Sequence, residues 1–212
     1  DVIPSLTAQG SDVKWYLDES LNNPAGTGLN YTTGITSSGV YSYFVTQTVD
    51  NCTSEASLAT LLINAKPVIL ISTDKESICL GDSVKITATG VETYVWSNSL
   101  GSGASLNVKP KITSSYSVTG TDINGCYSSQ SIDISVNPLP EVVINPEGDG
   151  IICKGQESEK LIALASNVNL QTVYKWSTGD ATDPTVSPTV NKSYSVTVQN
   201  NYDGLICSET AS

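Results

Sequence analysis

Three tryptophans recur at nearly equal intervals, and this repeat constrains the fold more than any other feature of the chain. They are separated by 81 and 80 residues, at Trp15, Trp96 and Trp176. Each is followed by a Tyr-x-Val-Thr segment and then by a cysteine; the tyrosines are Tyr43, Tyr116 and Tyr194. Landmarks that return three times in one order predict a tandem array of one structural unit.

Proline-bearing stretches mark the joints between the repeats. Residues 63–68 and 136–141 each follow an alternating apolar segment and lead into a new one. Proline fixes φ and removes a hydrogen-bond donor, which suits a short, stiff connector. We therefore place domains at residues 1–66, 67–138 and 139–212, the first incomplete at its N-terminus and the third at its C-terminus. We expect a rod with limited bending.

The spacing of turn signals predicts the fold class. Short apolar segments with period-two alternation are separated by turns about every 8–12 residues, a pattern typical of β-sandwiches. Each repeat also carries one tryptophan after an alternating segment. We therefore predict an all-β fold, with tandem immunoglobulin-like Greek-key β-sandwich domains in an elongated array.

The recurring aromatic residues have two interpretations. The tryptophans could stack on sugars, but their strict recurrence on a central strand favours packing between two sheets. The tyrosines that head the penultimate strand are expected to be buried, with the hydroxyl held by backbone. The predicted core residues are Trp15, Trp96, Trp176, Tyr43, Tyr116 and Tyr194.

Charge and missing residue types disfavour several classes of function. The formal net charge is −11, and the sequence contains no Arg, His or Met. Ten scattered lysines among 21 acidic residues cannot form the basic stripe that binds nucleic acid. Without histidine there is no Ser-His-Asp triad and no usual transition-metal ligand, so we predict no enzyme, no cofactor and no metal site. The longest apolar run, residues 68–71, is strand-length, so we expect no insertion into a membrane.

The five cysteines are the most informative chemistry. Each repeat from residue 67 onward holds an early and a late cysteine, which gives Cys79–Cys126 and Cys153–Cys207 as the leading disulfides. Equal gaps of 27 residues from Cys52 to Cys79 and from Cys126 to Cys153 leave pairing between neighbouring repeats open. Disulfides form in oxidising compartments, so we expect an extracellular protein.

Cys52 is left without a partner by this scheme. The first repeat begins at its second strand, so the early cysteine that should precede Leu6 is missing. We interpret the sequence as a window on a longer array of repeats. Alternatively, neighbouring chains supply the missing strands, as in strand-complemented fibres.

Four linked motifs point to a family. The middle repeat has Cys-x-Gly-x-Ser-Val, Trp-Ser, Pro-x-x-Thr-x-x-Tyr-x-Val-Thr and Asn-Gly-Cys, at residues 79–84, 96–97, 110–119 and 124–126. This series resembles the Ig-like and PKD-like tandem repeats of large Bacteroidota cell-surface proteins. The resemblance implies an adhesin or gliding-motility protein exported by type IX secretion. It also implies an O-glycan acceptor at Ser83, within Asp82-Ser83-Val84.

These expectations converge on a non-catalytic stalk or adhesive segment of a secreted cell-surface protein. Its expected partners are the adjoining repeats of the same long chain, and surface glycans or other cell-surface proteins. Two alternatives stay open. One is a carbohydrate-binding module, for which Tyr127 and Tyr202 are the best platforms; the other is an accessory segment of a secreted enzyme, since fold does not imply function.

Overall fold

β-Strands are the only regular elements in the part of the chain that the structure describes. The structure is a computed structural model, and it describes residues 5–148, 160–179, 182–188 and 193–212. Within these ranges there is no α-helix, so the all-β prediction is confirmed. Abundant β-branched residues suit a pleated surface, and Gly, Asn and Asp suit the tight turns between strands.

Two compact units divide the chain. Unit 1 comprises residues 1–68 together with 121–128, and unit 2 comprises residues 69–120 together with 129–212. The buried apolar side chains nevertheless form three clusters, one within each of the three predicted domain ranges. Each repeat thus has a core of its own, while the exact domain boundaries stay a prediction.

Unit 1 is organised around one four-stranded sheet. Its strands before residue 68 are β1 (Leu6–Thr7), β2 (Lys14–Tyr16), β3 (Pro24–Thr27), β4 (Asn30–Tyr31), β5 (Gly39–Thr46), β6 (Thr48–Val49), β7 (Cys52–Thr53) and β8 (Ser57–Ile63). The sheet order is β3-β2-β5-β8, and β1-β4 and β6-β7 form two-stranded ladders. Val13, Trp15, Tyr43 and Leu61 form the buried cluster of this unit.

The first part of unit 2 is a sandwich of two sheets. Its strands are β9 (Leu70–Thr73), β10 (Ser77–Cys79), β11 (Val84–Thr89), β12 (Thr93–Trp96), β13 (Ser105–Val108), β14 (Ser114–Thr121) and β15 (Tyr127–Asn137). The ends of β14 and β15, at residues 121 and 127–128, belong to unit 1. One sheet has the order β13-β11-β9, and the other has the order β10-β15-β14-β12.

The path of the chain through these two sheets defines the fold. The chain changes sheet at every step from β9 to β14. β11 runs antiparallel to β9 and β13, whereas β10 runs parallel to β15, with Ile78 opposite Val136. This Greek-key crossing pattern and sheet order are those of an immunoglobulin-like β-sandwich, so the predicted fold class is confirmed.

The second part of unit 2 repeats this two-sheet packing. Its strands are β16 (Glu141–Pro146), β17 (Leu161–Ser166), β18 (Val173–Trp176), β19 (Thr185–Val186), β20 (Val196–Tyr202) and β21 (Leu205–Ala211). The sheet orders are β16-β17-β19 and β18-β20-β21. Between the sheets lie Ala163, Trp176, Tyr194, Val196 and Val198, all buried.

Each tryptophan belongs to a different hydrophobic cluster. Trp15, Trp96 and Trp176 are 0%, 2% and 3% exposed. A buried indole N–H needs an acceptor, and each one donates to a backbone carbonyl. The acceptors, at 2.8, 2.9 and 3.0 Å, are Gly28, Gly103 and Asp183. Rings buried to this extent present no face for stacking on a sugar.

Replacement of Trp96 should test the dependence of its sandwich on this ring. We expect Trp96→Ala to lower the free energy of unfolding by about 3–5 kcal/mol, because it removes a large apolar surface and leaves a cavity. Urea unfolding followed by circular dichroism measures the change. Val95→Ala is the matched control, since Val95 is 61% exposed on the same strand. A loss equal to that of the control would contradict a core role.

Candidate functional site

The disulfide of unit 2 joins its two sandwiches. Cys79 ends strand β10, and Cys207 lies on strand β21, with a Cα–Cα distance of 5.5 Å. The two residues are 128 positions apart in the sequence, and they are 7% and 1% exposed. The early cysteine of one repeat is therefore bonded to the late cysteine of the next.

The predicted pairing within repeats is wrong. Cys79 lies opposite Asn137, at the C-terminal end of β15, because β10 runs parallel to that strand. Cys126 immediately precedes Tyr127, the first residue of the same 11-residue strand. At about 3.3 Å per residue the two cysteines lie more than roughly 30 Å apart, far beyond disulfide reach. Cys126 is free, and Cys153, the predicted partner of Cys207, lies outside the described residues.

The three late cysteines occupy one structural position. In each repeat the late cysteine faces one particular residue across a hairpin. That residue follows the valine of Tyr-x-Val-Thr by four positions. Cys52 is opposite Val49, and Cys207 is opposite Asn200. The carbonyl of Cys126 accepts a 2.9 Å hydrogen bond from the backbone N–H of Asp122. Cys52 is free and exposed, in agreement with the prediction that it is unpaired. Cys126 is also free, and it is half-buried.

Hydrogen bonds fix the strand that carries Cys79. The side-chain amide of Asn137 donates to Ser77 Oγ at 2.6 Å and to the carbonyl of Ile78 at 3.3 Å. The N–H of Leu80 donates to the carbonyl of Asn137 at 2.8 Å. Ile78 is fully buried in the core beneath. Asn137 therefore holds β10 in place on the edge of β15.

A buried asparagine fixes the hairpin that carries Cys207. Asn200 is 0% exposed, and its amide donates to the carbonyl of Asn167 at 2.6 Å. Its Oδ1 accepts a 2.6 Å bond from Thr172 Oγ1. The hydroxyl of Tyr202, on the same hairpin, donates to the carbonyl of Pro138 at 3.3 Å. Sequence reasoning missed Asn200 and Asn137, since a single asparagine gives no signal of the hydrogen bonds that its side chain makes in the folded protein.

A cleft in unit 2 lies beside this junction. Its volume is about 590 Å³, and Tyr202 lies on its wall. Polar and acidic side chains dominate the remainder: Glu76, Ser77, Ser135, Asn137, Gln171, Asn201 and Asp203. Such a lining offers hydrogen-bond donors and acceptors, together with one aromatic edge, to a polar ligand.

Other residues singled out in the sequence lie apart from the junction. Ser83, the predicted glycan acceptor, is exposed in the segment that leads into β11. Tyr127 is 57% exposed at the start of β15, and it does not line the cleft. Among the described residues no cluster of three or more Cys, Asp or Glu has the geometry of a metal site. The described part of the chain also contains no helix of a length and hydropathy that would cross a membrane.

Comparisons with known proteins give fold likeness only. The sequence matches no family model and no curated protein. The chain is similar to three N-terminal domains of the bacteriophage RB49 highly immunogenic outer capsid protein, at 14% identity over 95% of this chain and 86% of that one, with a TM-score of 0.40. It is similar to the insect immune protein hemolin at 13% identity over 99% and 71% of the two chains, with a TM-score of 0.38.

One structural neighbour binds a glycan. It is SGBP-B of the Bacteroides ovatus mixed-linkage glucan utilization locus, in complex with a mixed-linkage heptasaccharide. Identity is 9% over 98% of this chain and 63% of that chain, with a TM-score of 0.22. Likeness at these levels carries no argument about function, and the fold assignment rests on the sheet order. The disulfide itself is typical of proteins from oxidising, extracellular compartments.

Two of the core tyrosines have a raised pKa. Tyr43 and Tyr116 are 2% and 9% exposed. Burial raises the pKa of both hydroxyls above 10.0, because the neutral phenol tolerates a low-dielectric surrounding better than the phenolate. Hydrogen bonds with the side chains of Thr33 and Ser114 oppose these pKa shifts. Tyr194, the third tyrosine of the series, is 9% exposed in its own cluster.

The raised pKa of Tyr116 predicts an alkaline loss of stability. The phenol ionises at lower pH in the unfolded chain, so its contribution is complete below about pH 10 and is lost as pH rises through the folded pKa. Tyr116→Phe should therefore flatten the fall of unfolding free energy above about pH 10. Urea unfolding at several pH values, with free thiols blocked, measures the slope. Tyr127→Phe is the control at an exposed ring, and equal slopes in parent and Tyr116→Phe would contradict the prediction.

Proposed function

We propose that the chain is a non-catalytic, load-bearing stalk or adhesive segment of a long, secreted cell-surface repeat protein. The motif resemblance supports a protein of the Bacteroidota adhesin or gliding-motility type, exported by type IX secretion. Its partners are then the adjoining repeats of the same chain. A net charge of −11 favours solubility and opposes unspecific self-association of such a segment.

The observation that carries this proposal is the path of force through the disulfide. A pull on the two ends of the chain enters unit 2 at Ile69, crosses from Cys79 to Cys207 and leaves through residues 208–212. Residues 80–206 lie inside the covalent loop, so the covalent path of the load passes around their backbone. Most buried residues of both cores lie inside this loop, with Ile69 and Ile78 before it, so a pull cannot extend the backbone that carries most of the cores while the bond is intact. Such protection is useful in a stalk and has no role in catalysis.

The junction around the disulfide supports the same function. Asn137 holds β10, which carries Cys79, and Asn200 holds β20, the hairpin partner of the strand that carries Cys207, each through a side-chain hydrogen bond of 2.6 Å. Tyr202 adds a hydrogen bond to the connector at Pro138. Load that reaches the disulfide is thus passed into strands that are anchored in their own sheets.

Single-molecule pulling on the 212-residue chain tests this load path. With the disulfide intact, the extension released on full unfolding should be shorter by roughly 420–460 Å than in the Cys79→Ser/Cys207→Ser variant, because 128 positions stay locked. A reducing agent should convert the parent trace into that of the variant. Equal extensions in the oxidised parent and the variant would overturn the proposal that unit 2 is mechanically shielded.

A second candidate function is glycan binding in the unit 2 cleft. The cleft places Tyr202 beside amide and carboxylate side chains, the groups that recognise sugar hydroxyls. Of the two tyrosines expected to be platforms, only Tyr202 lines it. This candidate is compatible with an adhesive stalk, since a stalk can carry its own binding site.

A glycan array distinguishes the two functions. If the cleft binds sugars, Tyr202→Ala should abolish binding, while Tyr127→Ala, at an exposed tyrosine outside the cleft, should leave it unchanged. Isothermal titration of the best ligand into parent and variants gives the affinities. Absence of binding by the folded parent, or equal loss in both variants, would exclude the cleft as a glycan site.

A further inference from the structure

Strand β8 of unit 1 has no described strand at the edge where its counterpart in unit 2 is paired. Strand β8 lies at the end of the order β3-β2-β5-β8, and none of the described strands pairs with its outer edge. Its counterpart, β15, is covered by β10 in the order β10-β15-β14-β12. Both β8 and β15 are the last strands before a proline connector, and each neighbours the strand that carries Tyr-x-Val-Thr.

Residues at the end of the two strands match one another. Buried Leu61 corresponds to buried Ile134, and each stands three positions before an asparagine. In unit 2 that asparagine is Asn137, which holds β10 through two side-chain hydrogen bonds. In unit 1 it is Asn64, which is exposed. The side-chain amide of Asn64 is thus placed to form hydrogen bonds with a strand added at the outer edge of β8.

The core of unit 1 is also arranged to receive a side chain at this edge. In unit 2, Ile78 of β10 lies opposite Val136 and is fully buried in the core. Val136 packs partly buried against that cluster. The residue before Asn64 is Ile63, which packs partly buried against the cluster of unit 1. An aliphatic side chain on a strand added beside Ile63 would cover it as Ile78 covers Val136.

Cys126 lies at the position where it could bond to a cysteine on such a strand. It occupies the position of Cys207, and residues 121–128 belong to unit 1. Ser128 Oγ donates to the carbonyl of Pro67 at 2.7 Å, which places this hairpin at the connector that follows β8. In unit 2 the hairpin of Cys207 makes the equivalent contact, from Tyr202 to Pro138. Cys126 is free and half-buried.

We propose that the outer edge of β8 and the Cys126 thiol together form a docking site for an extended strand of the β10 type, with an aliphatic residue followed by cysteine. The strand pairs in parallel with β8, its aliphatic side chain enters the core beside Ile63, Asn64 holds its backbone, and its cysteine bonds to Cys126. The inference rests on the proposed function, because it takes the strand from an adjoining part of the same long repeat protein. The repeats of the array are then joined by one rule: the early cysteine of a repeat bonds to the late cysteine of the next repeat.

Formation of the bond needs a stated oxidant. Two thiols give up two protons and two electrons to a disulfide such as oxidised glutathione, which leaves as two thiols. Alternatively, the Cys126 thiolate attacks a strand cysteine that already carries glutathione. The new sulfur–sulfur bond then forms as the old one breaks, and glutathione leaves as a thiolate that takes up a proton.

A peptide with the sequence of residues 75–82, carrying glutathione on its cysteine, tests the proposal. In the 212-residue chain with Cys52→Ser and Cys153→Ser, Cys126 is the remaining cysteine outside the Cys79–Cys207 bond. Mass spectrometry should show capture of this peptide about tenfold faster than of its Ile78→Asp version, because docking raises the local concentration. In the matched chain with Cys126→Ser and Cys153→Ser, Cys52 should capture both peptides at one slow rate.

A second measurement removes the covalent step. The same peptide with Cys79→Ser should slow hydrogen exchange of the backbone amides of residues 61–64, since a parallel strand covers that edge. Equal capture of both peptides at Cys126, or no protection of residues 61–64, would overturn the proposal. Neither result would alter the pulling experiment, which depends on the Cys79–Cys207 bond alone.

Discussion

The covalent bond between Cys79 and Cys207 is the constraint on which unit 2 depends. Each of its sandwiches encloses a small core, and small domains bury too little apolar surface to be very stable alone. Closing a loop of 128 positions removes conformational freedom from the unfolded chain, worth about 5 kcal/mol in the chain-entropy model. The bond therefore stabilises a loop that contains most of the buried residues of both cores.

The position of this bond follows from the direction of a single short strand. β10 runs parallel to β15, so that its cysteine reaches the connector end of the sandwich, where Pro138 leads into the next repeat. There the β20-β21 hairpin presents Cys207, held by the buried amide of Asn200. An early strand that ran antiparallel would direct its cysteine toward the opposite end. The direction of β10 therefore places the disulfide between two repeats and not within one repeat.

Unit 1 shows the same arrangement, with none of the described strands on the outer edge of β8. The open edge of β8, the exposed Asn64 and the free thiol of Cys126 correspond one by one to groups that are engaged in unit 2. An exposed sheet edge is a hazard for unspecific pairing, and the proposed docking of a strand on β8 would cover that edge. The proposed load-bearing and the proposed strand docking thus both depend on one arrangement, seen for Cys79 and Cys207, in which an early strand pairs within its own repeat and bonds to the next repeat.

The sequence by itself determined the period of the array, the all-β class and the buried tryptophans and tyrosines. The spacing of the tryptophans and the period-two alternation of apolar residues can be read directly from the order of residues. Trp15, Trp96 and Trp176 lie in three separate cores for that reason. The partner of Cys79 was decided only by tertiary structure. Five cysteines at regular intervals allow several pairings, and the choice among them depends on strand direction and on which end of a sheet meets the next repeat. Local sequence specifies neither property, and it does not specify the hydrogen-bonding roles of half-buried Asn137 and buried Asn200.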